Sequence, residues 1–579
     1  MNSLRQIIND LDKQPIQKYG ALAGHYFSNG ISFIIRDIRG GSVKRCTVDI
    51  EIPVNMLFDS SCGESDLVAV SSYILRDFYA HVRVKNSEMQ LSETKAQRGY
   101  FYFYQTGQRV LPNSIVLISG DTVKIKLDIK LPSTQTAFDG KILDMSAKQV
   151  TNQIKKRKRE IISAKSLKIL LVKNLPELVQ GFVSSFSQDS LFEAVILNRR
   201  QRFIRRYIAE NGYVSFLGDG ASLPRLGMTD YKNPRNAVYF KSPEAMRITI
   251  PLPDGGDISG MAIKEGVTVI LGDSYQGKST LLSAIYEGVY DHIPGDGREY
   301  VITTDSAVNI TAETGRSVDS ADISFYLNSP PPQVKSAKCF TTASASGSTA
   351  QAASVFEAYE SGAKLMLFDE DSCANNFMYK DDRIRRIFGK SSTSPFIDSV
   401  REFYSRYKIS SIVAVGASAQ YLDIADQAVV LRDYQVYEYT DYERKDYPHK
   451  PLALKPRMSD LGALRAGNTA QSISCADGFV RIGASAIDIT THLTNPTAGQ
   501  AEFAVRALKD IILYSESGGR TLKSVLESYY SKIDGSCNGV ASSGSEYLEY
   551  VRPQSIMEML YRCRLVKFHE RKAYGFKDQ

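Results

Sequence analysis

The stretch GDSYQGKST, residues 272–280, has residue types and a spacing that can bind the phosphates of a nucleotide. It fits the pattern G-x-x-x-x-G-K-[ST], with Gly272, Gly277, Lys278 and Ser279 at the fixed positions. Glycines let the backbone wrap around an anion, the lysine adds positive charge, and the serine hydroxyl can bind Mg²⁺. The residues predicted to contact phosphate are Gly272, Asp273, Ser274, Tyr275, Gln276, Gly277, Lys278, Ser279 and Thr280.

The residues on either side of this loop predict the elements that must position it. Residues 267–271, VTVIL, form an apolar run that is typical of a buried parallel strand. After the loop, Leu281, Leu282 and Ile285 recur at helical spacing, and Gly288 can end the helix. We therefore predict a strand, a phosphate loop and a helix in direct succession, which points the helix N-terminus at the anion.

A second stretch, KLMLFDEDSCANN at residues 364–376, reads as an apolar strand that ends in acids. Asp369 is predicted to hold Mg²⁺ through water or through Ser279, and Glu370 to orient and deprotonate an attacking water. A strand that merely ends in a solvated acidic turn would look the same in isolation. Its position downstream of a phosphate loop favours the catalytic interpretation, with Lys278 and Glu370 as catalytic residues.

Between these stretches, Ser346-Gly347-Ser348 forms a small-residue turn at the start of a predicted helix. The N–H groups and dipole of such a helix end can bind a further anion, although a turn of this kind is more often only a flexible loop. In its position between the phosphate loop and the acidic strand, this turn resembles the signature motif of ABC-type ATPases. The phosphate loop and the acidic strand resemble the P-loop and the Walker B motif of the same proteins.

The resemblance is closest to the family of predicted ATPases of the ABC class. It is dense over the core and thinner over residues 1–210 and 455–579, where YGALAGHYF (19–27) also looks familial. The matching segments are DGASLPR (219–225), GDSYQGKSTLL (272–282), HIPGDGREYVIT (292–303), ETGRSV (313–318), ASGSTAQAA (345–353), DEDSCANNFM (369–378), SPFIDSVREFY (394–404) and VGASAQYLDIADQAVVL (415–431).

This resemblance implies a homodimer that binds ATP and Mg²⁺ at composite sites. In such a site the signature of one subunit, here Ser346, Gly347 and Ser348, contacts the γ-phosphate on the P-loop of the other. The resemblance implies Ser279 and Asp369 as metal ligands and Glu370 as the catalytic base. Residues 373–376 fall where ABC proteins have the D-loop, which crosses the dimer interface.

The sequence departs from the wider superfamily at several positions. Thr349 stands where the signature glutamine is usual, and Gly416-Ala417-Ser418 replaces the switch histidine. No Q-loop glutamine is evident, with Asp322 and Ser324 as weak candidates. Arg298 and Arg316 could supply charge to the phosphates, although such arginines are usually structural, and Tyr239 and Phe240 are candidates to stack on adenine.

The pattern along the 579 residues predicts an α/β protein of three domains. Alternating apolar and polar residues at 30–54 and 99–131 predict an antiparallel sheet, with a helix over 65–82 and helices around 144–212. We predict an N-terminal α/β domain at 1–240, an ABC-type P-loop ATPase core at 241–450 with a mostly parallel sheet flanked by helices, and a mainly helical C-terminal domain at 451–579.

The net charge of +7 is unevenly distributed, because residues 151–250 carry 18 basic and 8 acidic side chains. Two clusters in this segment could bind the phosphates of RNA, either double-stranded or structured and with weak sequence preference, although charge runs are usually solvated helix faces. Helical spacing would place Arg202, Arg205 and Arg206 on one face. The candidates are Lys155, Lys156, Arg157, Lys158 and Arg159, and Arg199, Arg200, Arg202, Arg205 and Arg206.

Within the family, the chain is most similar to the mitochondrial RNA-binding ATPases of kinetoplastids that are associated with RNA editing. That similarity implies RNA as the partner, a larger RNA-processing complex and a mitochondrial location, although no presequence is visible. Two other functions share the P-loop: a small-molecule or nucleotide kinase, and the ATP-binding subunit of a membrane transporter.

Composition narrows the class of protein further. No run of about 18 apolar residues occurs, so we expect no membrane insertion. The seven cysteines form no C-x-x-C pair and the six histidines show no metal-ligand spacing, which indicates a reducing, intracellular compartment without a zinc site.

Overall fold

The computed structural model describes residues 1–41, 43–59, 62–92, 99–135, 160–226, 234, 236–332, 334–389, 391–445, 450–462, 464, 472–483, 485–514, 519–533, 537–540 and 547–569. Contacts group the chain into two compact units. The first unit comprises residues 1–106, 111–195 and 535–549, and the second comprises residues 107–110, 196–534 and 550–579.

The helices are α1 (Asn2–Asp10), α2 (Leu67–Ser92), α3 (Ala164–Lys168), α4 (Leu175–Ser185), α5 (Gln188–Glu210), α6 (Lys278–Glu287), α7 (Gly347–Ser361), α8 (Asn375–Met378), α9 (Asp382–Phe388), α10 (Val400–Tyr407), α11 (Ala498–Tyr514), α12 (Leu522–Tyr530), α13 (Cys537–Val540) and α14 (Pro553–Arg562). One π-helical turn, Ile169–Asn174, joins α3 to α4.

The strands are β1 (Gly24–Ser28), β2 (Ile31–Arg39), β3 (Arg45–Pro53), β4 (Tyr100–Tyr102), β5 (Arg109–Val110), β6 (Val116–Ser119), β7 (Thr122–Lys130), β8 (Ser133–Gln135), β9 (Glu160–Ile162), β10 (Tyr213–Gly218), β11 (Arg247–Pro251), β12 (Asp257–Lys264), β13 (Val267–Leu271), β14 (Asp291–His292), β15 (Val301–Thr303), β16 (Val308–Asn309), β17 (Val318–Ala321), β18 (Phe340–Thr342), β19 (Leu365–Asp369), β20 (Ser410–Val415), β21 (Gln427–Arg432), β22 (Gln435–Glu438), β23 (Met458–Asp460), β24 (Ser474–Ala476), β25 (Phe479–Ile482), β26 (Ser485–Asp488), β27 (Arg520–Thr521) and β28 (Lys567–His569).

The first unit is built on an antiparallel sheet in the order β1-β2-β3-β7-β4, with β6 also paired to β7. Strands β3 and β7 pair along their full length, from Arg45 opposite Lys130 to Pro53 opposite Thr122. The apolar side chains that alternate along both strands are buried, as the sequence pattern predicts. Helices α2 and α4 pack together over this core, so the predicted sheet and the predicted helix at 65–82 are confirmed.

The second unit contains a six-stranded sheet in the order β16-β19-β20-β13-β21-β22. Its first five strands run parallel, and only β22 is antiparallel. The strand before the phosphate loop, β13, and the strand before the acidic residues, β19, both pair with β20. The carboxyl ends of these strands therefore meet at one edge of the sheet, where ligands bind in folds of this type.

The second unit also contains a smaller antiparallel sheet, in the order β11-β12-β10-β15. Ile204 and Ile208 of α5 pack with Phe216 and Ile302 of this sheet in one buried cluster. This packing groups residues 196–240 with the ATPase core, whereas the sequence placed them in the N-terminal domain. The boundary between the units falls inside α5. The later part of this helix packs on a sheet whose strands β12 and β15 lie further along the chain.

Residues 451–534 and 550–579 also group with the second unit rather than separately. Helix α14 packs on α7, which follows the signature turn, and on α12. Two small three-stranded sheets, β27-β23-β28 and β24-β25-β26, accompany these helices, so the predicted mainly helical segment also contains sheet. No helix in the described parts of the chain is long and apolar enough to cross a membrane.

Candidate nucleotide site

The glycine-rich loop lies between β13 and α6, and its backbone takes conformations that its residue types permit. Gly277, which precedes α6, has a φ of +97°, in the left-handed region that glycine enters at low cost. The Lys278 Nζ donates to the main-chain oxygen of Asp273 at 3.0 Å, which folds the lysine back along the loop. Tyr275, with a φ of +62°, is 93% exposed. The loop thus has the conformation of an anion-binding turn at a helix N-terminus.

A hairpin turn beside the loop holds it from the other side. The Asp433 N–H donates to the Gln276 Oε1 at 2.6 Å, and a Cβ placed on Gly277 would lie 3.4 Å from the Tyr434 ring. Gln276 is therefore held within the protein by its side-chain oxygen.

Glu370 lies next to the loop and is held by two backbone donors. Its Oε2 accepts from the Gly416 N–H at 2.5 Å and from the Ala417 N–H at 2.9 Å. Its Oε1 is buried and makes no hydrogen bond within the described residues. Burial, followed by the charge of Glu370, raises the pKa of Tyr379. One oxygen of the carboxylate is thus fixed, while the other has no geometric hydrogen bond in the described part of the chain and the carboxylate lies near the Tyr379 hydroxyl.

Gly416, which directly follows β20, also lies close to the lysine. A Cβ on Gly416 would lie 3.1 Å from the Lys278 Nζ and 3.3 Å from the Gly272 oxygen. The absence of a side chain at position 416 thus lets the ammonium and the carboxylate share one cavity. That cavity has a volume of about 680 Å³ and is lined by Ser274, Lys278, Glu370, Asp371, Cys373, Asn375, Asn376, Gly416 and Ala417.

The residues predicted to bind Mg²⁺ are available for that role. Asp369 ends β19, is partly exposed, and accepts from the Asp371 N–H at 3.4 Å. Ser279 is exposed at the first turn of α6. A serine hydroxyl, a carboxylate and the orphaned Oε1 of Glu370 are oxygen donors, which Mg²⁺ prefers, so the donor set fits this ion. Within the described residues, no cluster of three His, Cys, Asp or Glu residues forms a separate metal site.

Ser346 of the signature turn is open to solvent, whereas Gly347 is half-buried and Ser348 is buried, and none of the three lines this cavity. Ser346 is exposed and caps α7, since its Oγ accepts from the Thr349 N–H at 3.4 Å. A Cβ on Gly347 would lie 3.0 Å from the Thr314 hydroxyl, so the turn packs closely on the chain behind it. The structure therefore forms the predicted turn at a helix N-terminus but does not place it among the residues that surround Lys278 and Glu370.

Arg316 belongs to a buried network of ion pairs that includes α7, the helix that follows the signature turn. It pairs with Glu357 of α7 at 2.9 Å and donates to the Ala350 oxygen at 3.1 Å. Arg562 of α14 pairs with both Glu313 and Glu357. Burial alone would raise the pKa of Glu313, but the charge and hydrogen bonds of Arg562 lower it to about 2. Arg316 is therefore structural, and the pair between Glu357 and Arg562 in the same network ties the signature helix to α14.

The candidate RNA-binding residues differ in whether the structure describes them and in what they contact. Lys155, Lys156, Arg157, Lys158 and Arg159 lie outside the described residues. Arg205 donates to the Gly288 oxygen at 3.0 Å and pairs with Asp291 at 2.7 Å, and Arg200 pairs with Asp254 at 2.6 Å.

These internal contacts disfavour Arg205 and Arg200 as phosphate ligands. Arg202 is half-buried, whereas Arg199 and Arg206 are exposed. The face predicted for Arg202, Arg205 and Arg206 is therefore not uniformly open.

Several functional contacts could not be read from residue types. Gln351, which follows the signature, accepts from the Ala374 N–H at 2.8 Å and so fixes the D-loop segment to α7. The N–H groups of Gly416 and Ala417 are backbone donors, which no residue type reveals. Gln351 and Gly416 lie in two of the segments that match the family, residues 345–353 and 415–431. That match is the sequence signal that could have pointed to them.

A parallel sheet with an anion-binding loop, a lysine and a carboxylate at its carboxyl edge defines a P-loop nucleotide-binding domain. Two family models match the chain: the P-loop domain of the ABC_ATPase family over residues 187–459, and the ATPase of the ABC class N-terminal domain over residues 1–185. The chain belongs to the family of ABC-class ATPases.

Individual similarities are weaker than the family match. An uncharacterized protein of Methanocaldococcus jannaschii, MJ1628, is 31% identical over 285 residues, which are 47% of this chain and 62% of that protein. This chain therefore spans less than two thirds of that relative. Among solved structures, a dimeric post-hydrolysis state of the ATP-binding cassette MJ0796 bound to ADP and Pi is 12% identical, with a TM-score of 0.22, covering 41% of this chain and 99% of that chain.

Proposed function

We propose that this protein hydrolyses ATP with Mg²⁺ as a homodimer whose two composite sites open and close with the ATP cycle. The observation that carries the proposal is the joint presence of Lys278 and Glu370 in one cavity, with Glu370 held by the Gly416 and Ala417 N–H groups. A loop that only bound phosphate would have no use for an oriented carboxylate beside it.

The roles of the side chains follow from their positions. Lys278 and the N–H groups at the start of α6 bind the phosphates and neutralise the charge that develops on them. Glu370, held by one oxygen, presents the other to a water and accepts its proton. Ser279 and Asp369 would hold Mg²⁺, which supplies charge stabilisation at the phosphates when bound. The folded-back lysine would exchange the Asp273 oxygen for phosphate oxygens.

The exposed signature supports the dimer. Ser346 offers a helix N-terminus to solvent, while the Lys278 cavity is bordered by Asp371, Asn375 and Asn376, all of which are exposed. A second copy of the chain, related by a two-fold axis, could place its signature over this cavity, because such an interface is self-complementary. A kinase would instead require a pocket for the phosphate acceptor, and it would not need a signature from a second subunit.

Mixing two inactive variants tests this arrangement. Ser346→Arg should reduce turnover about 100-fold by adding bulk and charge where the partner's nucleotide docks, and Lys278→Ala should disable the P-loop. In a mixed dimer one site combines both defects, and the other combines an intact P-loop with an intact signature. An equal mixture should therefore recover about a quarter of the wild-type rate, measured by phosphate release.

Exposed Ser405 of α10 provides the control, since Ser405→Arg makes the same change away from the site and should hydrolyse ATP normally. If the mixture shows no more activity than the separate variants, although sizing detects dimers with ATP, the signature does not act in trans.

We further propose that RNA is the partner on which the ATP cycle acts, bound through phosphate contacts of the basic segment 151–250. Its excess of 18 basic over 8 acidic side chains and the exposure of Arg199 and Arg206 support this proposal. Resemblance to kinetoplastid RNA-editing ATPases makes structured mitochondrial transcripts within a larger RNA-processing complex the first RNAs to test.

Charge reversal on α5 tests the RNA proposal. The double variant Arg199→Glu, Arg206→Glu should weaken binding of all RNAs alike, because phosphate contacts carry no sequence information. It should also flatten the log–log salt slope by about 0.7 to 0.9 for each phosphate that the variant no longer neutralises. The matched control is Arg383→Glu, Arg386→Glu, which reverses two exposed charges on α9.

Filter binding across a salt series gives both quantities. A parallel variant with residues 155–159 changed to serine tests the first cluster. If both clusters can be altered without any change in affinity at every salt concentration, the basic segment does not bind RNA.

A further inference from the structure

A second cavity, of about 420 Å³, lies against the exposed face of α6, where the phosphate loop continues into the helix. Ser279, Thr280 and Ser283 line it from the helix, and loops that contain Arg225, residues 292–298 and residues 490–495 enclose it. Its volume falls within the range of about 300–1,000 Å³ that is typical of small-molecule sites. Because Ser279 and Thr280 belong to the phosphate-binding motif, an occupant of this cavity lies beside the phosphates.

Two buried ion pairs form part of its wall. Arg225 donates to both oxygens of Asp296, at 3.0 and 2.9 Å, and His292 contacts the same carboxylate at 2.7 Å. Arg109 forms a bidentate pair with Glu287, at 3.0 Å for each contact. In each pair the charges of the arginine and the acid compensate one another.

A third arginine, Arg298, lies near Asp296 and Glu287 but is paired with neither. It is 5% exposed, and both its Nε, at 3.1 Å, and its Nη2 donate to the Leu223 oxygen. Within the described residues it forms no ion pair and its Nη1 makes no hydrogen bond. Burial, with the nearby charge of Arg225, lowers the pKa of Arg298 to about 10. The charges of Glu287 and Asp296 offset part of this burial cost, and an anionic group in the cavity would offset more of it.

The two cavities beside the phosphate loop differ in the charges that line them. The cavity with Lys278 contains Glu370 and Asp371 and must admit the attacking water. The second cavity has one arginine more than it has acids, together with neutral polar side chains such as Gln108 and Asn495. The second cavity therefore offers charge for a phosphate and hydrogen-bonding groups for a sugar and a base without an excess of acidic side chains.

We propose that this second cavity holds the nucleoside half of the nucleotide, with Arg298 and Thr280 at the α-phosphate. The inference rests on the proposed ATPase function and adds the residues that recognise the nucleotide beyond its β- and γ-phosphates. Tyr239 and Phe240, the aromatic candidates from the sequence, do not line this cavity: Tyr239 is 68% exposed and Phe240 is 6% exposed.

Comparison of ATP with inorganic triphosphate separates the nucleoside from the phosphates. Ser283→Tyr and Thr490→Tyr would each fill the cavity, from opposite walls. Both should weaken ATP binding by about tenfold or more and leave triphosphate binding within about twofold, measured by calorimetry with Mg²⁺. Arg298→Gln should weaken both ligands, because each has a phosphate at the α position. Ser405→Tyr, on exposed α10, should change neither.

The outcomes distinguish this inference from the function on which it rests. If the wild-type protein binds neither ATP nor triphosphate, the proposed function fails. If the wild-type protein binds both ligands, and both cavity-filling variants bind ATP as tightly as the wild type does, the function stands and the nucleoside lies elsewhere. Equal losses of affinity for ATP and for triphosphate in both filling variants would also overturn the inference, because the loss would then not depend on the nucleoside.

Discussion

The Lys278→Ala variant should lose nearly all ATP hydrolysis, with turnover at least about 100-fold below wild type. The lysine is buried beside the loop, and within the described residues its ammonium donates only to the Asp273 oxygen and forms no ion pair. Its charge is thus available to phosphate. Removing it takes away the charge-assisted hydrogen bonds that stabilise the transferred group, and should also weaken ATP binding by about tenfold.

Phosphate release measures turnover, and fluorescence of a labelled ATP analogue measures binding. Lys364→Ala, which removes an exposed lysine before β19, is the matched control and should behave as wild type. Thermal unfolding of Lys278→Ala should be close to wild type, because the substitution removes a single hydrogen bond to a main-chain oxygen. If the variant keeps most of its activity, the P-loop assignment is wrong.

The Glu370→Gln variant should bind ATP but hydrolyse it about 100- to 10,000-fold more slowly. The amide keeps the shape of the side chain and can still accept from Gly416 and Ala417 through its oxygen. It cannot accept a proton from water. ATP should therefore remain bound, and the closed dimer should accumulate.

Sizing with and without ATP, beside a single-turnover assay, checks this result. Glu402→Gln on α10 removes a carboxylate outside the cavity and should hydrolyse ATP at the wild-type rate. Equal monomer fractions of Glu370→Gln with and without ATP would contradict the closing dimer. Normal turnover would exclude Glu370 as the base.

The local parts of the site could be predicted from the sequence, because their residues are neighbours in the chain. Strand β13, the loop and α6 follow one another directly, and the predicted strand over residues 267–271 and helix ending near Gly288 are confirmed. The helix that begins after Ser346 is confirmed for the same reason, since Ser346 supplies the N-cap within its own segment.

The remaining parts depend on strand order and on packing between distant segments. Glu370 meets Gly416 only because β19 and β20 are neighbours in the sheet, which no spacing specifies. The second cavity combines residues near positions 109, 225, 296 and 490. Arg205 fits a phosphate-binding helix face by sequence, but α5 covers a sheet completed almost one hundred residues later, and the arginine contacts that sheet instead.

The close approach of Gly416 to Lys278 limits how this site could have diverged from other ABC ATPases. Any side chain there would begin with a Cβ 3.1 Å from the ammonium and 3.3 Å from a backbone oxygen of the loop. A side chain at position 416 would therefore have to shift the ammonium, on which phosphate binding depends, by a few tenths of an ångström. Glycine at this position thus keeps the ammonium and the backbone-held carboxylate in one cavity, and a change of residue 416 should alter both together.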